Sequence, residues 1–557
     1  MTAISTSPTA PIPSRSRTRR AHPWRLYALG SAIALPALIP LVTIAVALLS
    51  PQTAVWSHLS QYVLPEVIVN TLKLVIGVAL LAGVIGTSLA WLVAAHDFPG
   101  RRWLEWALLL PLAIPAYVLA FVAVAFLDYS GPLQALLRSL VGHPVALPPI
   151  RSTGGVILVL SLALYPYVYL LARTAFLTQG QRALEVAQGF GFSRAAAIWR
   201  VAIPMARPWI ASGVALVCME ALADFGAVAI FNYNTFTTAI YRAWFGMFSL
   251  HAALELSGVL LLFVFAMLFI DRRTRAGLRF ASARDVSRRA RRVPLQGTAR
   301  WLATIYACTI FSLAFLLPVV QLVWWTVLRA AQDLDARYWS FAAHSLVLAT
   351  SGAVLIVAAG LVLAYLQRQS NSGFVQGIVQ TATLGYAVPG TVLAVGIMYP
   401  LVMLNNGLQE LLRSMFGSAA PTLLLQGTLI GVLVAYLARF LAVAFKPVES
   451  GMHRITSSLD EASIGLGVTG SRMVRKVHVP LLRTSLATGA ILVFVDIIKE
   501  MPITLLTRPF GWDTLAVRVF NMTSIGEWER AALPALAIVL VGLIPAAMLS
   551  RGNDHVA

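Results

Sequence analysis

The sequence predicts an all-α protein that crosses the membrane many times. Hydrophobic residues make up 59% of the 557 residues and charged residues only 11%. Apolar runs of about twenty residues recur along the chain, and a helix of that length crosses a hydrocarbon core roughly 30 Å thick. These runs do not alternate in polarity as the strands of a membrane barrel do, so they are predicted to be helices.

About twelve transmembrane helices are expected, six in each half of the chain. The predicted spans are 27–49, 70–95, 103–127, 152–178, 208–231, 253–270, 301–328, 344–366, 375–403, 422–445, 483–506 and 532–550. Six is an even number, so both halves enter the membrane from the same side. The halves are therefore predicted to be parallel repeats, related by an axis along the membrane normal.

The regions outside the spans suggest a domain organisation. A basic tail rich in Ser, Thr, Pro and Arg is expected to be cytoplasmic and disordered. The first span lacks a small-residue cleavage site, so it is predicted to be retained. The predicted segments are the tail 1–26, a first span 27–49, a first domain 66–271, a basic linker 272–300, a seventh span 301–328 and a second domain 340–550.

Membrane topology explains the net charge of +20. With both termini in the cytoplasm, the cytoplasmic segments hold 28 of the 42 Lys and Arg residues, the external segments 9 and the spans 5. Positive charge is normally enriched on the cytoplasmic side in this way. The lipid bilayer is thus the partner that the charge predicts, and nucleic acid is not expected to bind.

A repeat with a constant offset is centred on two polar segments, one in each half, that lie between apolar spans. Two such copies with the same internal spacing are not expected of simple surface connectors. The matched positions are Glu185 with Glu461, Val186 with Ala462, Ala187 with Ser463, Gly191 with Gly467 and Pro204 with Pro480.

Each polar segment is predicted to form two short helices joined at a turn. Gly191 and Gly467 can adopt the positive φ that often ends a helix. Pro204 and Pro480 are expected to stop the second helix, because proline cannot continue one. Two equivalent cytoplasmic loops follow from this pattern.

The spacing of Glu, five residues, Gly, nine residues and then apolar-x-apolar-Pro resembles the EAA loop of type I ABC importer permeases. The resemblance implies that the loops dock on a cytoplasmic ATPase dimer and carry its closure to the membrane helices. Small residues near the turn would then fit into a groove of that partner. The coupling residues that the resemblance indicates are Glu185, Ala187, Gly191, Pro204, Glu461, Ala462, Gly467 and Pro480.

The chain itself is not expected to hydrolyse ATP. None of its four lysines follows a glycine, so the Gly-Lys of a phosphate-binding P-loop is absent. No catalytic residues or bound cofactors are predicted, and ATP and Mg are expected on the partner ATPase. The resemblance also implies a bacterial inner membrane location and a periplasmic substrate-binding protein as a second partner.

Two pairs of carboxylates lie within predicted spans. Glu220 and Asp224 belong to the fifth span, and Asp496 and Glu500, at the matching positions of the second half, belong to the eleventh. The i, i+4 spacing predicts that both members of a pair share one helix face. A charge in mid-membrane costs about 2.5–3.5 kcal/mol, so these groups should face a cavity.

These carboxylates can be interpreted in two ways, which assign them different roles. Oxygen ligands around a central pathway suit a hard cation, although no metal site is firmly assigned. Alternatively, the carboxylates pair with Arg173, Arg439 or Lys499 and fix helix packing.

A stretch in the second half gives the substrate prediction. Residues 499–516 resemble the K-E-x-P-x-T-L-L-x-R-P-x-G-x-x-T-L-A signature of ferric-iron permeases. The corresponding first-half stretch, 224–240, lacks the Pro and the Arg-Pro. The resemblance therefore implies ferric iron, with thiamine, polyamine and phosphonate permeases as alternatives.

Other classes of protein fit less well. A secondary transporter of the major-facilitator type has twelve helices, and residues 97–102 superficially resemble its basic loop, but the full pattern and the repeated helix–Gly–helix loop do not match. A membrane enzyme is disfavoured because the nine histidines show no ligand spacing and no nucleophile–base pair is evident.

Overall fold

The computed structural model describes residues 23–554 with the exception of 142–147, 181–186, 188, 276–291, 371, 417–424 and 426. Helices dominate the described ranges. The strands found there are the two-residue pieces His96–Asp97 and Val293–Pro294. The predicted all-α membrane class is confirmed.

The first half contains long apolar helices joined by short ones. Its α-helices are Pro23–Leu49, Thr53–His58, Leu64–Ala95, Arg101–Ala107, Ala116–Leu127, Pro132–Val141, Thr153–Ala175, Arg194–Ala197, Ile203–Ala223, Gly226–Ile230, Phe236–Tyr241 and Leu250–Arg275. Wider π turns or tighter 3-10 turns continue some of them, at Leu59–Val63, Leu110–Ala113, Phe176–Gly180, Ile198–Ala202 and Arg242–Gly246.

The second half repeats this order. Its α-helices are Gly297–Phe311, Leu317–Asp333, Ala336–Gln369, Gly373–Leu384, Gly390–Phe416, Leu429–Arg454, Ser457–Gly465, Gly470–Met473, Val479–Leu481, Arg483–Lys499, Pro502–Thr507, Leu515–Ser524 and Ala532–Asp554. The π turns are Ser312–Leu316 and Val474–His478, and the 3-10 turn is Gly385–Ala387.

The predicted spans fall largely on helix, although several are not simple crossings, and the tenth, 422–445, begins among residues that lie partly outside the described ranges. Within the described ranges, 10 helices are long and apolar enough to cross a membrane, or 11 if the bent pair Gly470–Leu481 and Arg483–Lys499 counts as one. The predicted twelfth span lies on Ala532–Asp554, whose apolar part, Ala532–Pro545, is shorter.

The third and ninth predicted spans are broken at equivalent places. Pro115 stands before the helix Ala116–Leu127 with an extended ψ of 143°. Pro389 likewise precedes Gly390–Phe416, after the 3-10 turn Gly385–Ala387. Proline has no backbone N–H and disfavours helix in the preceding residue, so it begins a helix and cannot continue one. Each half therefore has a helix that starts inside the molecule.

The same three helices form the centre of each half. In the first half, Leu64–Ala95 packs against Thr153–Ala175 and Ile203–Ala223. In the second half, Ala336–Gln369 packs against Leu429–Arg454 and Arg483–Lys499. The repeat seen in the sequence is thus also a repeat of packing.

The first helix of the chain packs on the other half. Pro23–Leu49 contacts Gly373–Leu384 and Gly390–Phe416 extensively. A Cβ on Gly396 would lie 2.7 Å from Cβ of Pro40, so the two helices touch because this position is glycine. In turn, Leu317–Asp333 of the second half contacts Ala116–Leu127. The two halves are interlocked by these crossed helices.

The tail and linker differ from their predicted bounds. The first helix begins at Pro23, inside the predicted tail, because proline is favoured in the first turn of a helix. The linker between helices is shorter at both ends than the predicted 272–300, since one helix runs to Arg275 and the next begins at Gly297. Residues 1–22 and 276–291 lie outside the described ranges. Val293 and Pro294 pair in parallel with His96 and Asp97, which ties the linker to the first half.

Candidate functional site

Both polar loops contain the predicted glycine turn. Gly191 has φ +83° and Gly467 has φ +75°. Around them, Phe192 N donates to Ala187 O at 3.1 Å, and Val468 N donates to Ser463 O at 2.8 Å. Each of these hydrogen bonds closes a six-residue turn that contains a residue with positive φ. This is the Schellman motif, which ends many helices. The two loops therefore have the same backbone geometry at matching positions of the repeat.

The small residues at these turns do not face a partner. Ala187 is 5% exposed and Ser463 8%, so both pack inside the chain, contrary to the expectation that they fit a partner's groove. The exposed apolar side chains are Phe190 at 80% and Leu466 at 83%, and these two also occupy matching positions of the repeat. An exposed, matched apolar pair is the stronger indication of a docking surface.

The two glutamates of the loops are not equally well described. Glu461 and Ala462 are exposed on the helix Ser457–Gly465. Glu185 lies outside the residues that the structure describes. The coupling role of both glutamates stays a prediction.

The prediction that Pro204 and Pro480 stop the second loop helix is wrong. Each proline sits in the first turn of a further helix, where its missing N–H costs nothing. A π turn, Ile198–Ala202 or Val474–His478, carries the chain into that helix. In the first half the path continues directly into Ile203–Ala223. In the second half it bends by 80° before Arg483–Lys499.

A partly buried polar contact fastens the second loop. Asp460 accepts a hydrogen bond from Arg368 Nε at 2.7 Å and pairs with His478 Nε2 at 2.9 Å. Arg368 also donates to the carbonyls of Met452 and Ile455, at the end of the preceding helix. Burial alone would raise the pKa of Asp460, but the hydrogen bonds and charges of Arg368 and His478 outweigh it and lower that pKa.

The first loop lacks the side chains for this contact. The positions equivalent to Asp460 and His478 in the first half are Leu184 and Ala202, which cannot form these bonds. The two loops therefore share a turn but differ in this attachment.

Replacing Asp460 with Asn should loosen the second loop. A hydrogen bond to a charged group contributes about 1.5–3 kcal/mol when well buried, and we expect roughly 1 kcal/mol here because Asp460 is partly exposed. Amide exchange in 457–465, measured by mass spectrometry on the intact complex, should quicken about fivefold. Glu410→Gln, a change at an exposed glutamate in the helix Gly390–Phe416, should leave exchange unchanged.

The lowered pKa of Asp460 sets the direction of the pH dependence. Its stabilising contribution is fully present above the ordinary Asp value of about 3.9 and is lost as pH falls through the lower folded value. Protection of 457–465, corrected for intrinsic exchange, should therefore persist from pH 7 to pH 5. Loss of protection across that interval would contradict the assigned contact.

The carboxylates of the fifth and eleventh spans do not share helix faces as predicted. The helices end at Ala223 and Lys499, and both Asp224 and Glu500 have extended backbone, with ψ 130° and 117°. A second short helix begins just beyond each break, at Gly226 or Pro502. The i, i+4 rule fails here because it requires one continuous helix.

The two breaks are built alike. Asp224 Oδ1 accepts a hydrogen bond from Val228 N at 3.1 Å, and Glu500 Oε1 accepts one from Ile503 N at 3.0 Å. Each carboxylate thereby satisfies a free N–H in the first turn of the short helix that follows. We call residues 224–225 the first break and residues 500–501 the second break.

A cavity of about 170 Å³ with charged side chains in its wall lies where the two breaks meet. Its walls come from both halves and include the starts of both interior helices, Pro115 to Tyr117 and Gly390. The acidic and basic residues in its wall are Glu220, Asp224, Arg439, Lys499 and Glu500. The cavity thus brings together three of the four predicted pathway carboxylates, and Asp496 is not in its wall.

Two glycines allow close packing around the cavity. A Cβ on Gly390 would lie 3.0 Å from Glu500 Oε1 and 3.2 Å from Ile503 Cγ1. On the other side, a Cβ on Gly226 would lie 2.6 Å from Cβ of Tyr117 and 2.8 Å from Met501 Cε. The contact of Gly226 with Met501 crosses between the halves and holds the breaks together.

The two basic side chains in the cavity wall donate hydrogen bonds to backbone carbonyls. Lys499 Nζ donates to Leu112 O at 2.9 Å, and Arg439 donates to Val388 O. Both carbonyls belong to the broken third and ninth spans, where helical partners are missing. Arg173, the third cation considered as a partner, pairs with Glu105.

The predicted carboxylates are therefore not neutralised by direct pairing. Among the described residues, no ion pair with an N···O distance of 4.0 Å or less includes Glu220, Asp224, Asp496 or Glu500. Arg439 interacts electrostatically at longer range with Glu220, Asp496 and Glu500. Within the same part of the chain, no three His, Cys, Asp or Glu side chains converge as a metal site would require.

These features define a class of protein. Two interlocked, repeated helical halves enclose a charged cavity within the membrane. Each half also carries one polar loop with an exposed apolar side chain at its turn. This arrangement is that of a membrane transport permease. Sequence comparison specifies the family: residues 82–275 match the model described as "binding-protein-dependent transport system inner membrane component". The chain thus resembles the permeases of type I ABC importers and, among them, the ferric-iron permeases.

The relatives differ in what they carry and in how much of the chain they match. An Fe(3+)-transport system permease protein of Haemophilus influenzae is 28% identical over 495 residues, which cover 87% of this chain and 90% of that protein. A probable sulfate permease of Chlorokybus atmophyticus is 28% identical, over 32% of this chain and 61% of that protein. A probable molybdenum permease of Haloferax volcanii is 27% identical, over 30% and 57%.

Proposed function

We propose that this chain imports ferric iron across the inner membrane as the permease subunit of an ABC transporter. The observation that carries the proposal is the extent of the match: the similarity to the iron permease covers both halves, whereas the sulfate and molybdenum permeases match about a third of the chain. In this proposal, 66–271 and 340–550 are the two permease domains, and a periplasmic binding protein supplies the substrate.

The charge of the cavity favours a cation over an oxyanion. Glu220, Asp224 and Glu500 contribute carboxylate oxygens to its wall, while Lys499 and Arg439 donate to backbone carbonyls. Hard oxygen ligands suit a hard cation such as Fe³⁺, and the three carboxylates of the wall outnumber its two cationic side chains, which disfavours sulfate or molybdate. An organic cation such as thiamine would satisfy the same charge, and the match to the iron permease over 87% of the chain supports iron.

The loops support ATP-driven coupling. Phe190 and Leu466 present equivalent apolar tips, which suits two equivalent ATPase subunits. In this proposal ATP and Mg bind to those subunits, and both termini of the chain lie on the same cytoplasmic side as the loops. The π turns would pass a displacement of each loop to the helix that ends at a break.

The test is transport by the reconstituted complex. The full chain, its ATPase and its binding protein in proteoliposomes should accumulate radiolabelled Fe³⁺ when ATP is enclosed on the cytoplasmic side. Sulfate, molybdate and thiamine, each offered with the same components, should not be accumulated. Accumulation of one of these in place of iron would refute the substrate, and transport without the ATPase would refute the coupling.

A further inference from the structure

A second cavity, separate from the one described above, also lies between the halves. It has a volume of about 430 Å³ and is lined by Arg151 and Asn232 from the first half and by Thr523, Ser524 and Trp528 from the second. Arg151 is held in its wall, since it donates to Ile230 O at 3.2 Å and stands 5.8 Å from the Trp528 ring. We call this the outer cavity and the smaller space at the breaks the central cavity.

Three aromatic rings lie between the two cavities. Phe225, in the first break, lines the central cavity, and Phe520, in the helix Leu515–Ser524, lines the outer cavity. Their ring centroids are 5.4 Å apart. Tyr241 contacts both rings, at 5.1 Å from Phe225 and 6.2 Å from Phe520. Phe225 and Phe520 are 1% and 8% exposed, so water has little access between them.

An apolar constriction of this kind is a barrier to ions. Burying an unpaired charge among hydrocarbon groups is costly, and narrow hydrophobic segments of channels close by losing their water. The rings come from different halves, so a small relative movement of the halves would part them. Phe225 also follows Asp224 directly, so a displacement of the first break must displace its ring.

We propose that the outer cavity admits substrate from the external side and that Phe225, Tyr241 and Phe520 form a gate between it and the central cavity. The proposal rests on the transport function and membrane orientation proposed above. In the conformation described here the gate is closed. The alternative is that the three rings only pack the halves together, with no access path beside them.

Cysteine accessibility distinguishes these two readings. The background carries Cys218→Ser and Cys308→Ser, and the complex is assembled in spheroplasts with its ATPase. Ala223→Cys places a thiol in the central cavity wall and Ser524→Cys one in the outer cavity wall. A membrane-impermeant methanethiosulfonate reagent added outside should label Ser524→Cys readily and Ala223→Cys at least tenfold more slowly.

Removing one of the three rings should open a path between the two cavities. Phe520→Ala should raise the labelling rate of Ala223→Cys at least tenfold and change that of Ser524→Cys less than twofold. Phe520→Leu, a milder change that preserves packing, should give an intermediate rate. Phe263→Ala is the matched control, because that ring contacts Phe236 within the first half at 5.5 Å and lines neither cavity.

Two results would overturn the gate. One is an unchanged Ala223→Cys rate in both Phe520 variants of the assembled complex. The other is rapid labelling of Ala223→Cys in the parent. Failure of Ser524→Cys to react from outside would refute the orientation on which the gate depends. The assay does not involve iron, so a permease for another substrate would pass it and fail only the iron uptake test.

Discussion

Replacing Glu220 with Gln and Asp496 with Asn should lower iron uptake by the assembled complex at least tenfold. Both changes preserve size and hydrogen-bonding capacity while removing one negative charge each. Arg439 interacts with both carboxylates, so its positive charge would be left with less compensation near the path of the cation. A tenfold loss corresponds to a barrier increase of about 1.4 kcal/mol.

The measurement is initial uptake of radiolabelled Fe³⁺ into proteoliposomes, normalised to the amount of assembled complex. Glu410→Gln, at an exposed glutamate in the helix Gly390–Phe416, is the control for a charge change away from the cavity. Wild-type uptake by the double variant would mean that Glu220 and Asp496 serve packing and that the cation passes elsewhere. Loss of assembly would be seen separately, as loss of ATPase subunit in a pull-down.

Replacing Phe190 and Leu466 together with Asp should uncouple the permease from its ATPase. These side chains are 80% and 83% exposed, and the few residues that are hot spots of an interface contribute about 2 kcal/mol or more each. We expect ATPase binding to weaken at least a hundredfold and ATP-driven uptake to fall to background. Titration of the ATPase onto the permease in nanodiscs measures the first effect.

The control for this pair is Phe416→Asp, which is 63% exposed at the end of Gly390–Phe416 and is proposed to lie on the opposite side of the membrane. It should bind the ATPase normally. Gly191→Pro offers a second route to the same result, since proline fixes φ near −65° where the turn has +83°. Undiminished binding in the Asp double variant would remove these tips from the docking surface.

The sequence predicted features that depend on local or repeated patterns. The glycine turns could be predicted because a positive φ after a short helix is a local requirement that glycine meets. The positions of the helices followed from apolar runs, and the interruptions of the third and ninth spans had a visible sign in Pro115 and Pro389. The relation between the halves followed from the constant offset between their matched positions.

Other features depend on contacts that no local pattern reveals. Asp224 and Glu500 were expected on continuous helices, although Pro502 after the second carboxylate was a sign that the helix ends there. Phe225 and Phe520 lie in different halves and do not occupy matching positions of the repeat. The contact of Asp460 with Arg368 involves a carboxylate that the first half lacks, so comparison of the two halves could not have predicted it.

The crossed first helix has a consequence for biosynthesis. Pro23–Leu49 packs on helices that begin only at Gly373, in the second half of the chain. At about 5–20 residues per second, a ribosome needs roughly 15–65 seconds to make the interval between them. Leu250–Arg275 of the first half also contacts this helix and is made earlier, but until the second half follows, the face that packs on it has only lipid or the insertion machinery beside it. A polypeptide released before the second half is made would therefore leave an unfilled helix face in the bilayer, which membrane proteases could recognise as the mark of an unfinished chain.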